Sequence, residues 1–221
     1  MDRQERIALF RGIDVYPVTC EKLSSGRSNL RVLDGVIEGG ARIIQLREKE
    51  YSERDFYQLA LKFREVTAKS NVLLIINDHV DIALAVDADG VHLGQEDLPL
   101  QVARRLAPEL LIGVSTHSLE QALEAQESGA DYINIGPIFP TKTKEGASDF
   151  LGPDMIGLIR QNVQIPFTVM GGIDLSNIDQ VLAHGARYVA MVTAITLAPD
   201  IPEKVRMIRQ RIATFSCASP H

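Results

Sequence analysis

The sequence predicts one α/β domain in which eight parallel strands, each followed by a helix, close into a barrel. Three observations carry this. Short β-rich apolar runs alternate with helical patterns from Val15 to about Ile212. Most runs are apolar without a break at their centres, as in Leu73-Leu74-Ile75-Ile76, which suits strands covered on both faces, as in parallel sheets. No Gly-x-Gly-x-x-Gly follows the first run, which argues against a doubly wound dinucleotide fold. Glycines and phosphate-type residues instead follow the seventh and eighth runs, where barrels often keep a phosphate site.

The strands are expected at 15–19, 42–46, 73–77, 90–93, 111–115, 132–138, 167–171 and 188–192. In 52–69, Phe56, Leu59, Ala60 and Phe63 recur at i, i+3, i+4 and i+7 and form one buried stripe. The segment 78–86 leaves room for only a short helix. Ser118 and Gln121 match a capping box ahead of Leu119, Ala122 and Leu123. Gly39-Gly40 and Gly129 supply left-handed residues that end helices. The last helix runs over about 202–212, with Val205, Ile208 and Ile212 on one face. Asp131-Tyr132 and Arg187-Tyr188 each follow a helix-ending glycine and look like one joint used twice. No linker divides the chain, so 1–221 reads as a single domain: a barrel over about 13–213, a short N-terminal extension and a polar C-terminal tail.

Bulk properties narrow the function. A chain of 221 residues with 45% apolar and 24% charged residues is ordinary for one globular domain. Lys+Arg 23 against Asp+Glu 29 gives −6, which argues against bulk attraction to nucleic acid or anionic membrane. Neither a membrane span nor a signal peptide is visible. Of the two cysteines, Cys20 ends an apolar run and reads as a buried thiol, and Cys217 lies in the polar tail 216–221. Nothing resembles a disulfide framework, and a cytoplasmic setting is the expectation. An exposed apolar helix face would support a homo-oligomer.

Polar residues stand just past the ends of the apolar runs, and strand exits share the face where barrels carry their sites. Gln45, Arg47 and Lys49 alternate, so an extended strand end puts all three on one side. The two cations suit phosphate oxygens; alternatively Glu48 and Glu50 neutralise them on a solvated rim. Asp78 and Asp97 follow neighbouring strands. Together they offer Mg²⁺ the carboxylate oxygens it prefers, yet each also reads as a helix cap, Asp97 standing just before Leu98-Pro99. Ser115 provides a hydroxyl that can position a heterocycle, and His117 a neutral-pH proton carrier with no acid beside it in sequence. The loop from Pro140 through Thr141, Lys142, Thr143 and Lys144 to Asp149 is long for a βα connection; it is either a lid over a polyphosphate or a surface loop. Gly171-Gly172-Ile173 and Thr193-Ala194-Ile195 offer backbone N–H groups to an anion.

In order, these segments resemble thiamine-phosphate synthases over nearly the whole chain. The resemblance is carried by 15–19, 45–49, 77–81, 90–97, 113–118, 136–144, 171–173 and 193–195. It implies a TIM barrel that joins hydroxymethylpyrimidine pyrophosphate to a thiazole phosphate, with release of pyrophosphate. By resemblance, Gln45 and Ser115 contact the pyrimidine; Arg47, Lys49, Asn77 and Lys144 hold the pyrophosphate; Asp78 and Asp97 bind Mg²⁺. Thr141, Thr143, Gly172, Thr193 and Ile195 then hold the thiazole phosphate and close the site. Arg47, Lys49, Ser115 and Lys144 make up the catalytic set. Departures from the family pattern are Cys20 for Asp, Met170 for a branched aliphatic, Thr193 for Ser and Arg187-Tyr188 for Asp-Gly; none removes a proposed ligand. Two rivals stay open. One is the sister thiazole tautomerase, which needs no metal and would use His117. The other is a phosphate-ligand sensor without catalysis.

Overall fold

A computed structural model describes residues 1–141 and 150–218. Eight strands form one parallel sheet: β1 (Val15–Pro17), β2 (Ile43–Leu46), β3 (Leu73–Asn77), β4 (Gly90–Leu93), β5 (Leu111–Thr116), β6 (Tyr132–Ile135), β7 (Phe167–Val169) and β8 (Tyr188–Met191). Their order is β1-β8-β7-β6-β5-β4-β3-β2. A parallel bridge between Val18 and Gln45 joins the two ends of the sheet, and the Thr19 N–H donates to the Gln45 carbonyl at 3.0 Å. The predicted barrel is therefore closed. All eight strands lie where the sequence places them, several with shorter ends.

The helices are α1 (Arg3–Phe10), α2 (Asn29–Glu38), α3 (Glu53–Ser70), α4 (Val80–Ala85), α5 (Leu100–Leu106), α6 (Leu119–Glu127), α7 (Asp154–Asn162), α8 (Ile178–Ala183), α9 (Thr193–Thr196) and α10 (Ile201–Ala218). Helix α3 buries Phe56, Ala60 and Phe63, with Ser52 capping it, as the stripe predicts. Helix α4 is short, as expected. Ser118 caps α6 by accepting from the Gln121 N–H, but the Gln121 side chain returns to the N–H of His117, one residue earlier than in a capping box. Gly40 and Gly129 are left-handed, with φ of 88° and 91°, whereas Gly39 keeps a helical φ of −70°. Helix α10 runs well past the expected end, so Cys217 belongs to it rather than to a tail. Cys20 is only half-buried. No helix among the described residues is long and apolar enough to cross a membrane.

Two apolar clusters follow from strand alternation. Val15, Ile44, Leu46, Leu74, Ile76, Val91, Ile112, Ile133 and Val189 point outward and pack against the helices. Tyr16, Ile43, Leu73, Ile75, Leu111, Tyr132 and Ala190 point inward and fill the barrel, joined by Phe10 and Ile13 from the N-terminal extension. The extension is therefore a plug. Phe10 stacks on Tyr132 with ring centroids 4.4 Å apart and meets Tyr16 edge-on at 6.5 Å.

Two buried carboxylates lock the same end. Asp89 precedes β4 and accepts from the Leu74 N–H at 2.9 Å and from Arg64 at 2.7 Å, with Arg6 of the plug 3.8 Å away. Asp131 precedes β6 and accepts from the Ile112 N–H at 2.8 Å, from Arg104 at 2.5 Å and from Arg3 at 2.8 Å. The device that repeats is thus Asp89 and Asp131. The exposed Arg187 belongs to no such lock. Removing one buried partner strands the rest, at a typical cost of about 3 kcal/mol. Asp131→Ala is expected to lose about that much in urea unfolding. Asp179→Ala, which breaks an exposed pair with Arg211, is expected to unfold at an unchanged midpoint. Equal midpoints for both variants would refute the lock.

Candidate active site

Along each strand the inward column changes character toward the C-terminal end. On β2 it runs Ile43, Gln45, then Arg47; on β3, Leu73, Ile75, then Asn77; on β5, Leu111, Gly113, then Ser115; on β6, Tyr132, then Asn134. Where the apolar residues stop, a cavity of about 1090 Å³ opens. A second, smaller depression of about 440 Å³ lies beside Arg11, Gln164 and Arg187 near the strand starts. Parallel barrels carry chemistry at the strand exits, so the larger cavity is the candidate site.

Its wall contains Gln45, Arg47, Lys49, Asn77, Asp78, Asp97, Ser115, Thr141, Gly172 and Thr193. These are ten of the residues singled out from sequence, gathered from separate strand ends. Thr143 and Lys144 lie outside the described residues. Ile195 is a correction: its side chain is fully buried in the outer cluster, and its N–H is spent on the Val192 carbonyl at 3.0 Å. It supports the turn from behind.

Gln45, Arg47 and Lys49 share one side, as alternation predicts. Glu48 and Glu50 do not neutralise the two cations. Glu48 accepts from the Glu21 N–H at 2.8 Å, and Glu50 pairs with Lys22 at 2.7 Å. The Arg47 guanidinium makes no hydrogen bond or ion pair among the described residues, and Lys49 reaches Asp78 at 2.5 Å.

Neither carboxylate is a helix cap. His79 occupies the cap position of α4 and Pro99 that of α5. Asp78 takes a left-handed φ of 65°, a conformation Asp tolerates better than most residues. Asp97 closes a turn by accepting from the Gly94 N–H at 2.6 Å. The Asp78 and Asp97 carboxyls stand close enough to interact. Burial, then the Asp78 contact, pushes the Asp97 carboxyl above its ordinary 3.8. Two acids held together in partial burial could hold a cation. Among the described residues no third His, Cys, Asp or Glu joins them, so an ion here would complete its shell with water and ligand oxygens.

Across the cavity, Gly171 and Gly172 have φ of 104° and 63°. A Cβ on Gly172 would lie 2.5 Å from the Pro140 carbonyl oxygen, and one on Gly171 would lie 2.6 Å from Pro137. The glycine pair is thus also what lets the loop after β6 pack close. The N–H groups of Gly172, Thr193 and Ala194 donate to nothing among the described residues. His117 lines the wall with Nδ1 2.5 Å from the Gly136 carbonyl.

Sequence reasoning missed residues of the floor. His92, Tyr16, Asn134 and Thr168 all line the cavity. His92 bonds Ser115 and Tyr132 at 2.9 and 3.1 Å, and Thr168 donates to Asn134 at 2.7 Å. The usable signal was alternation alone: each stands at an inward position of its strand.

Comparison with known proteins agrees with this geometry. The family described as thiamine monophosphate synthase matches residues 15–195. Thiamine-phosphate synthase of Dictyoglomus thermophilum is 48% identical over 209 residues, 94% of each chain. That of Pelotomaculum thermopropionicum is 47% identical over 201 residues, covering 90% of this chain and 92% of the other. Among solved structures, thiamine phosphate pyrophosphorylase from Pyrococcus furiosus superposes with a TM-score of 0.85 at 36% identity, covering 92% of this chain and 96% of that one. With the family pattern spanning most of the barrel and relatives at this identity along its length, the chain belongs to the thiamine-phosphate synthase family of enzymes.

Proposed function

We propose that the cavity joins an aminopyrimidine methyl pyrophosphate to a thiazole phosphate, with pyrophosphate leaving. The observation that carries this is the pairing of Asp78 with Asp97 beside Lys49 and an Arg47 unpaired among the described residues, above a floor presenting Gln45 and Ser115. The acidic pair and the cations face one region of the wall, as the charged tail of such a substrate requires.

The donor set fits Mg²⁺, which typically takes one or two carboxylates and completes its shell with water and substrate phosphates. Asp78 and Asp97 would hold the ion, and bound Mg²⁺ supplies charge neutralisation to a departing pyrophosphate. Arg47, Lys49 and Asn77 hold the pyrophosphate oxygens and stabilise charge as it grows on them. Gln45 and Ser115 orient the pyrimidine so that its exocyclic carbon faces the second substrate. That carbon is benzylic in type on an electron-rich ring, so its bond to oxygen can break ahead of attack. Thr141, Gly172 and Thr193 hold the thiazole phosphate; Thr143 and Lys144 complete the set implied by the family resemblance. The attacking ring nitrogen carries no proton and needs no base.

The direct test is pyrophosphate release on mixing protein, both substrates and Mg²⁺, with chelated and single-substrate controls. Release is expected only in the complete mixture, with thiamine phosphate formed. No release from folded protein would move the reading to the tautomerase, with His117 as its proton carrier. Arg47→Ala is expected to lower kcat about 10²-fold, as loss of one preorganised charge donor typically does. Asp97→Asn is expected to abolish coupling; coupling with its metal requirement intact would reject the carboxylate assignment. The acid limb follows from the raised Asp97 carboxyl. The ionised form binds the cation, so affinity is complete above that pKa and falls as pH drops through it. The kcat/KM profile for the pyrophosphate substrate should descend with a midpoint above 3.8; a flat profile through that range would contradict it.

A further inference from the structure

A hydrogen-bonded chain of side chains crosses the floor of the cavity. Gln45 Nε2 lies 3.0 Å from the Tyr16 hydroxyl, Tyr16 lies 3.0 Å from the Tyr132 hydroxyl, Tyr132 lies 3.1 Å from His92 Nδ1, and His92 Nε2 lies 2.9 Å from Ser115 Oγ. Every member except Ser115 is buried. We propose that Tyr16, Tyr132 and His92 are positioning residues that give Gln45 and Ser115 opposite hydrogen-bond roles, acceptor and donor respectively, so that the floor selects a heteroaromatic edge carrying an amino group beside an unprotonated ring nitrogen. This rests on the reading of the cavity as an aminopyrimidine site and names what determines its selectivity.

The argument is a proton count. Burial raises both phenols above their ordinary range, so each keeps its single proton. A second proton on His92 would leave the Tyr132 hydroxyl without an acceptor, so the ring carries one N–H. The Gln45 NH₂ can only donate, so Tyr16 accepts from it. Suppose Tyr132 donated to Tyr16; the Tyr16 proton would then have no partner among the described residues. Suppose instead that His92 Nδ1 carried the proton and Tyr16 still donated to Tyr132; the Tyr132 proton would be stranded. A stranded buried donor is destabilising. One arrangement satisfies every proton: Gln45 to Tyr16, Tyr16 to Tyr132, Tyr132 to His92 Nδ1, and His92 Nε2–H to Ser115 Oγ. Ser115 accepts from below, so its own proton is free to donate into the cavity. Gln45 Oε1, which has no partner among the described residues, is free to accept. Reversing the chain requires turning the Gln45 amide over, and that would reverse Ser115 at the same time.

The floor is shaped to let the chain form. A Cβ on Gly113 would fall 2.1 Å from the Tyr132 ring carbon that bears the hydroxyl. Only a residue without a side chain lets that ring reach across β5. Phe10 stacks beneath it.

The test has two arms. In ¹⁵N NMR of histidine-labelled protein at neutral pH, His92 is expected as the Nε2–H tautomer; the Nδ1–H tautomer would overturn the proposal. This arm needs neither turnover nor a variant, so it survives failure of the assigned reaction. The second arm is calorimetry with the 4-amino pyrimidine alcohol and its 4-oxo analogue, alongside kinetics of Tyr132→Phe, which keeps the ring stacked on Phe10. The unaltered protein is expected to prefer the amino compound at least about tenfold. The variant should lose most of that preference and raise KM for the pyrimidine pyrophosphate about tenfold, with KM for the thiazole phosphate unchanged. Tyr16→Phe cuts the neighbouring link and should act alike. Equal amino/oxo preference in variant and parent, or a parallel rise of both KM values, would reduce the chain to packing.

Discussion

Closure of a parallel sheet into a barrel is the constraint from which the rest follows. A strand offers two faces with a period of two residues, and closure assigns one face to the helices and the other to the interior. The outward face can stay apolar along its whole length because helices cover all of it. The inward face cannot, because the interior is filled at one end by the plug helix and open at the other. Ile43 gives way to Gln45 and Arg47, and Ile75 to Asn77, where that filling ends. The cavity is the place where the apolar half of each column stops, and its residues come from eight separate loops because eight columns stop together.

The opposite end supplies the rigidity this requires. Asp89 and Asp131 each accept a main-chain N–H from the neighbouring strand as well as arginine side chains from helices. Arg3 and Arg6 of the plug helix join the same two acids. The bonds fix strand register where no ligand binds, and the aromatic cluster of Phe10, Tyr16 and Tyr132 carries that order upward to the floor. A net acidic chain thereby spends buried acids on structure at one end while keeping Asp78 and Asp97 for the other. It also diverts Glu48 and Glu50 to Glu21 and Lys22, so that Arg47 and Lys49 stay turned toward the cavity.

What could be read from the sequence was whatever local periodicity encodes. The eight strands, the stripe on α3 and the shared side of Gln45, Arg47 and Lys49 all follow from spacing within one element. Asp78 and Asp97 were visible but ambiguous, because a strand exit and a helix start fall on the same residues. The structure separates the two readings by giving the caps to His79 and Pro99. Ile195 misled because a motif does not say which of its residues faces inward; helix α9 turns that one into the core. The joint at Arg187-Tyr188 resembled the one at Asp131-Tyr132 in pattern, yet an arginine side chain has no acceptor for a strand N–H, and the true counterpart was Asp89. Tyr16 and Tyr132 were illegible for a different reason. In an apolar run each reads as core, and each is core; their hydroxyls meet across 116 residues of sequence.

That last case shows why a polar chain inside an apolar floor belongs to function rather than to stability. Hydrocarbon residues at Tyr16, Tyr132 and His92 would fill the same space without the desolvation cost of buried hydroxyls and imidazole. What hydrocarbon cannot do is carry direction. Each hydroxyl that accepts on one side must donate on the other, so a choice made at Gln45 is imposed on Ser115 through Tyr16, Tyr132 and His92. Gly113 gives up a side chain to make room for the Tyr132 ring in that chain. The interior thus does two things with one set of residues: it closes the bottom of the barrel, and it fixes the hydrogen-bond pattern that the top presents to its ligand.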